Sequence, residues 1–116
     1  MEKHYNLEFL RDYYGDDRDA MREILNLYLQ ETPKDLLNIK TALQKNNASV
    51  AKAATHKIKT NVAMLGMKDP ADFMNEMHLH SAQVDVSEKV KTLFIEFEAE
   101  IMLGLNDIEE DYFRNR

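Results

Sequence analysis

The chain has 116 residues, 44% of them hydrophobic and 31% charged, with a net charge of −6 and no cysteine. That length and balance suit one soluble domain spanning residues 1–116, and the acidic excess argues against nucleic acid as a primary partner. Without cysteine there are no disulfides, thiolate metal sites or Cys nucleophiles, which is compatible with a reducing cytoplasm, the expected location; no apolar run approaches ~18 residues, and the N-terminus (MEKHYNLEFL) lacks the apolar core of a secretory signal, so no membrane-spanning helix is expected. A start at Met1 points to an independent small protein.

Taken in order, the chain first predicts a short helix to Tyr14, with Asn6 as N-cap, an apolar set of Leu7, Phe9, Leu10, Tyr13 and Tyr14, and Gly15 as a left-handed end residue. Asp16 or Asp17 caps the next helix, in which Met21, Ile24, Leu25 and Tyr28 recur at helical spacing. Pro33 interrupts, but Leu36, Ile39 and Leu43 continue in phase, so one long kinked helix from about Asp17 to Gln44 is expected. Asn46 and Asn47 turn into a third helix that Gly66 ends. Asp69-Pro70 starts a fourth, with Phe73, Met74 and Met77 buried and an end near Gln83. Asp85 and Glu88 have the spacing of a capping box, and a last helix runs from about Val86 to Phe113. Its stripe is Val90, Leu93, Phe94, Phe97, Ile101, Leu105 and Ile108, Gly104 marks a bend or close packing, and the acidic stretch Asp107 to Asp111 is expected to fray. Nothing alternates with period two. The fold class is therefore all-α: an antiparallel up-down-up-down four-helix bundle with a short additional N-terminal helix.

The third helix carries the chemistry. At about 100° per residue, Ala51, Ala54, Ile58, Val62 and Leu65 share an apolar face. His56 lies about 200° round from Ile58 and points to water. Lys52, Lys59, Thr60 and Ala63 share its side, and Ala53, Thr60 and Ala63 are small. An exposed face needs no small residues for its own stability; around one imidazole they leave it open to a bulky partner. From Leu36 to Lys68 there are six lysines (40, 45, 52, 57, 59, 68) and no acid, so the 15 basic groups less these six leave 9 against 21 acids, a net of −12 elsewhere. A positive zone around His56 suits a phosphoryl group and an acidic partner cleft, although a plain solvated lysine-rich helix has the same composition. An imidazole with an ordinary pKa of about 6.5 is mostly neutral and nucleophilic at pH 7. An uncrowded, neutral histidine flanked by lysines is what transient N-phosphorylation requires.

His56-Lys57-Ile58-Lys59-Thr60-Asn61 followed by Met64-Leu65-Gly66 resembles the signature of the histidine-containing phosphotransfer (HPt) domain, H-x-L/I-K-G-S/T with a Leu-Gly pair ending the helix. The likeness spans Leu7 to about Phe97. It implies that His56 is the phosphoacceptor, Lys59 the phosphate-steering lysine and Gly66 the glycine closing the helix. Lys52, Lys57, Thr60 and Ala63 fall among the phosphate and partner contacts. Thr60 stands where the family usually has glycine and Asn61 where it usually has Ser or Thr, so access to His56 is narrowed. His78, 22 residues after His56, occupies the place where the family often has a Glu or Gln that hydrogen-bonds the active imidazole. The implied partners are response-regulator receiver domains and a hybrid histidine kinase. The receiver supplies Mg²⁺ and the aspartate, so this chain is a monomeric phosphocarrier, not an enzyme, and needs no cofactor.

Two other readings stand beside this one. In the first, the bundle docks a receiver or kinase without accepting phosphate. In the second, it is a metal-binding bundle; His78 and His80 diverge by about 200° on a helix, and the Glu-x-x-His pairs of di-iron bundles are missing, so no metal is expected. His4, near the terminus, is expected to be inert. No catalytic triad, carboxylate pair or Gly-rich phosphate loop is present.

Overall fold

The computed structural model describes residues 4–79 and 87–114, the side chains of 77–79 excepted. Among these residues stand five α-helices and no strand: α1 (Glu8–Tyr14), α2 (Arg18–Gln44), α3 (Ala48–Met64), α4 (Ala71–Leu79) and α5 (Glu88–Glu109), followed by a π-helical turn, Glu110–Arg114. α2 packs against α3, α5 and α1, and α4 packs against α5 and α3.

α2 begins where Asp17 accepts a hydrogen bond from the Ala20 N–H at 3.0 Å, and it carries Pro33 inside it as one helix. Proline in a helix interior costs about 3 kcal/mol. Leu36, Ile39 and Leu43 are all buried beyond it. Each contributes roughly 1.5–3 kcal/mol through burial, which outweighs the proline and keeps the two halves in phase.

Both turns around α3 follow from backbone chemistry. Asn46 takes the left-handed conformation (φ 55°) and ends α2, with the Asn47 N–H donating to the Ala42 carbonyl at 2.8 Å. Asn47 then caps α3 by accepting from the Val50 N–H. At the other end Gly66 (φ 60°) closes α3, with the Met67 N–H donating to the Val62 carbonyl at 2.9 Å and the Gly66 N–H to Ala63. This six-to-one and five-to-two pair is the Schellman arrangement, which favours glycine at its left-handed position.

The N-terminal segment lies across the ends of α3 and α5. The Asn6 N–H donates to the Leu65 carbonyl at 3.0 Å, His4 Nδ1 lies 2.7 Å from Glu100 Oε1, and the Tyr5 hydroxyl donates to Asp111. Gly104 is explained by this segment: a Cβ there would lie 2.7 Å from the His4 carbonyl and 3.0 Å from Met67 Cε. Of the two expectations for Gly104, close packing accounts for the residue. His4, expected to be inert, is instead an anchor of this strap.

Several expected details are corrected. Asn6 does not cap α1 as its N-cap residue; Leu7 holds that position, and the Asn6 side chain accepts from the Glu8 N–H two residues on. Phe9 and Tyr13 are exposed, because α1 buries only Leu10. On α3 the buried face includes Thr55, whose hydroxyl donates to the Ala51 carbonyl at 2.7 Å, while Ala54 is only partly covered. Ser87 caps α5 by accepting from the Val90 N–H, where a capping box from Asp85 was expected; Asp85, the expected end of α4 near Gln83, and His80 lie outside the described residues. Asp107 to Asp111 does not fray. Helical structure continues to Arg114, held where Arg22 donates to the Tyr112 carbonyl and stacks over the Phe113 ring at 4.9 Å.

Candidate functional site

His56 sits in the middle of α3, on the side turned away from the core. Ala51, Thr55, Ile58 and Val62 are buried against the neighbouring helices. The side facing solvent carries His56 with Ala53, Lys59, Thr60 and Ala63, all exposed. Lys52, a turn before His56, is partly buried. The imidazole therefore stands on a stripe whose other exposed members are alanines, a threonine and Lys59 three residues on, with the partly buried Lys52 four residues before it.

The cationic surroundings differ from the sequence expectation in one respect. Lys57, expected among the phosphate contacts, has its ammonium 2.9 Å from Asp35 Oδ1 on α2. The same carboxylate accepts a hydrogen bond from Asn61 Nδ2 to Oδ2 at 2.9 Å. Asp35 is 1% exposed whereas the Lys57 side chain is 65% exposed. The close contact with Asp35, then its charge, raise the Lys57 pKa above the ordinary lysine value, with a smaller contribution from Glu31. A buried carboxylate without such partners would carry a penalty of several kcal/mol. Oδ1 meets Lys57 as an ion pair outside hydrogen-bond geometry, so the hydrogen bond from Asn61 completes its compensation. Lys40 is also drawn to an acid from elsewhere in the chain, Glu98 at 3.8 Å. The basic zone is thus narrower than the run of lysines suggests, and Lys52 and Lys59 are the cations flanking the histidine along its own face.

Asp35 and the use made of Asn61 are the parts of this site that the residues alone did not disclose. Asp35 sits at helical spacing with Ile39 and Ala42 on the buried side of α2, and an acid in phase with an apolar stripe is the signal that was available. His78 lies on α4, but its side chain is outside the described residues. Among the described residues there is no group of three His, Cys, Asp or Glu side chains placed to hold a metal ion, and no helix is long and apolar enough to cross a membrane.

The family model for the Hpt domain matches residues 23–109. That span runs from early α2 to the end of α5 and includes every site residue discussed above. No curated protein and no solved structure matches the chain significantly.

Proposed function

As this chain belongs to the Hpt domain family, whose members are phosphocarrier modules of phosphorelays and not catalysts, we propose that His56 accepts a phosphoryl group from the phospho-aspartate of one receiver domain and passes it to another. The observation that supports this most is the exposed His56 in a stripe of small side chains, with Lys59 three residues on. Residues 1–116 act as one domain, with α2 to α5 in the family's antiparallel up-down-up-down bundle. The partners are response-regulator receivers and a hybrid histidine kinase, met by a monomer in the cytoplasm.

The transfer needs little from this chain. The lone-pair nitrogen of the imidazole attacks phosphorus in line, the bond from phosphorus to the aspartyl oxygen breaks, and the carboxylate leaves with the electron pair. The proton on the other ring nitrogen stays in place. In the second half the carboxylate of the accepting receiver attacks, the P–N bond breaks, and the imidazole recovers its lone pair. Lys59, assisted by Lys52, offsets charge on the three transferring oxygens, while Thr60 and Ala63 leave room for the receiver. The receiver contributes Mg²⁺ and the aspartate.

Incubation with a phosphorylated cognate receiver is expected to give an acid-labile, alkali-stable label that His56→Gln abolishes. Label that persists in the variant refutes the assignment. Thr60, a β-branched residue one turn from His56, favours a second reading, a docking module that binds receiver or kinase without accepting phosphate. Tight receiver binding with no label in wild type would select it.

A further inference from the structure

The Asp35 contact bears on His56 through its geometry. Its two partners, Lys57 and Asn61, are four residues apart on α3 and so stand on one face, a turn apart. A single buried carboxylate engaged at two heights resists both sliding and turning of α3 against α2. That face lies about 100–140° round the helix from His56, between the core at Ile58 and the exposed stripe. The core side of α3 carries Ile58 and Val62 towards its C-terminal half but only the short Ala51 and Thr55 before and beside His56, so packing fixes the rotation less firmly there. We propose that Asp35 is a positioning residue for phosphoryl transfer at His56: through Lys57 and Asn61 it sets the rotation of α3 that turns His56, Lys59 and Thr60 outward, and it keeps the Lys57 ammonium off the phosphoryl group.

This inference rests on His56 being the acceptor. The magnitudes make the tether matter. An imidazole ~5–6 Å from the helix axis moves ~2 Å for a turn of about 20°, and a misplacement of about 1 Å can cost on the order of 100-fold in rate. Lys57 stays with Asp35 because the competition is unequal. Releasing it strands a carboxylate that is 1% exposed, whereas a phosphoryl group in water offers only a screened surface ion pair. Asn61, which departs from the family's Ser or Thr, supplies the longer amide donor that reaches Asp35 Oδ2.

Phosphoramidate, which phosphorylates accessible imidazoles directly, serves as the probe. Wild type and His56→Gln come first: a wild-type chain that takes no label on His56 overturns the acceptor assignment and the inference with it. Given a labelled wild type, folded Asp35→Ala, checked by circular dichroism, is expected to exchange phosphate with a receiver domain, which must dock in one orientation, about 10-fold more slowly. Asp35→Asn, which keeps an oxygen for Asn61, is expected to lose less than about 3-fold. Independently of any variant, phosphorylation of the wild type is expected to shift the Lys59 Nζ resonance in NMR and leave that of Lys57 in place, a signature that a purely structural Asp35 would not require. Exchange with the receiver by folded Asp35→Ala within about 2-fold of wild type, or a Lys57 resonance that moves as far as that of Lys59, overturns the positioning role while leaving His56 as acceptor.

Discussion

The backbone carbonyl of Asn6 lies 2.2 Å from the point where a Cβ on Gly66 would sit. Gly66 thus answers two demands at once: a left-handed backbone that ends α3, and the close passage of the N-terminal strap. Gly66→Ala is expected to lower stability by more than the ~1–2 kcal/mol that left-handed φ alone costs an L-residue, because the strap must also move. Urea denaturation measures the loss, and amide shifts concentrated at residues 5–7 and 64–67 locate it. A loss no larger than the backbone figure would mean that the strap yields freely.

The His4 contact makes part of the strap's stability depend on pH. Hydrogen bonding to Glu100 raises the His4 pKa, against a smaller opposing effect of desolvation, and the charges of Glu100 and Asp107 add to the rise. A group whose folded pKa exceeds its unfolded value stabilises fully below the unfolded pKa, about 6.5, and loses that contribution as pH climbs through the folded pKa. The stability difference between wild type and His4→Gln is therefore expected to be largest below about pH 6.5 and to shrink above it. Because ring and carboxylate are both partly exposed, the effect is small. Paired denaturation curves at pH 5.5 and 8.5 check the sign.

Gly104→Ala sets two effects against each other. Alanine gains about 1 kcal/mol of helix propensity, but its Cβ would lie 2.7 Å from the His4 carbonyl. The expected result is a displaced strap and loss of the His4-dependent pH profile, even where overall stability changes little. A profile identical to wild type would show that the segment accommodates the methyl group.

Lys57→Met removes one compensating group from a carboxylate that is 1% exposed and leaves it the hydrogen bond from Asn61 on α3. The expected cost is ~1–3 kcal/mol, the range for a buried polar group left short of partners, and a second substitution, Asp35→Asn, should recover part of it. A double-mutant cycle in urea reads the coupling directly; a coupling near zero would show that the ion pair contributes nothing to stability.

Lys59→Met should act on transfer and not on stability, since Lys59 is exposed. One preorganised donor in an enclosed site is worth on the order of 10²–10³ in rate; for a solvent-facing ammonium a loss of ~10-fold is expected. Rapid-quench transfer from a phospho-receiver, with thermal unfolding alongside, separates the two.

Much of this molecule can be read from local rules. Apolar spacing of 3.6 residues on α3 put Ile58 inward and His56 outward, and both lie so in the fold. The phase of Leu36, Ile39 and Leu43 carried α2 through Pro33, and asparagine and glycine marked both ends of α3, because caps and left-handed residues act within a turn of where they stand. Tertiary structure decided what local rules do not reach. Asp35 meets Asn61 across 26 positions, His4 meets Glu100 across 96, and Tyr5 meets Asp111 across 106. Such pairs exist only once packed helices bring distant segments together and exclude water between them. The lysine count around His56 was visible in the chain, but that Lys57 is engaged away from the histidine depends on a carboxylate buried between helices, and burial is a property of the assembled core.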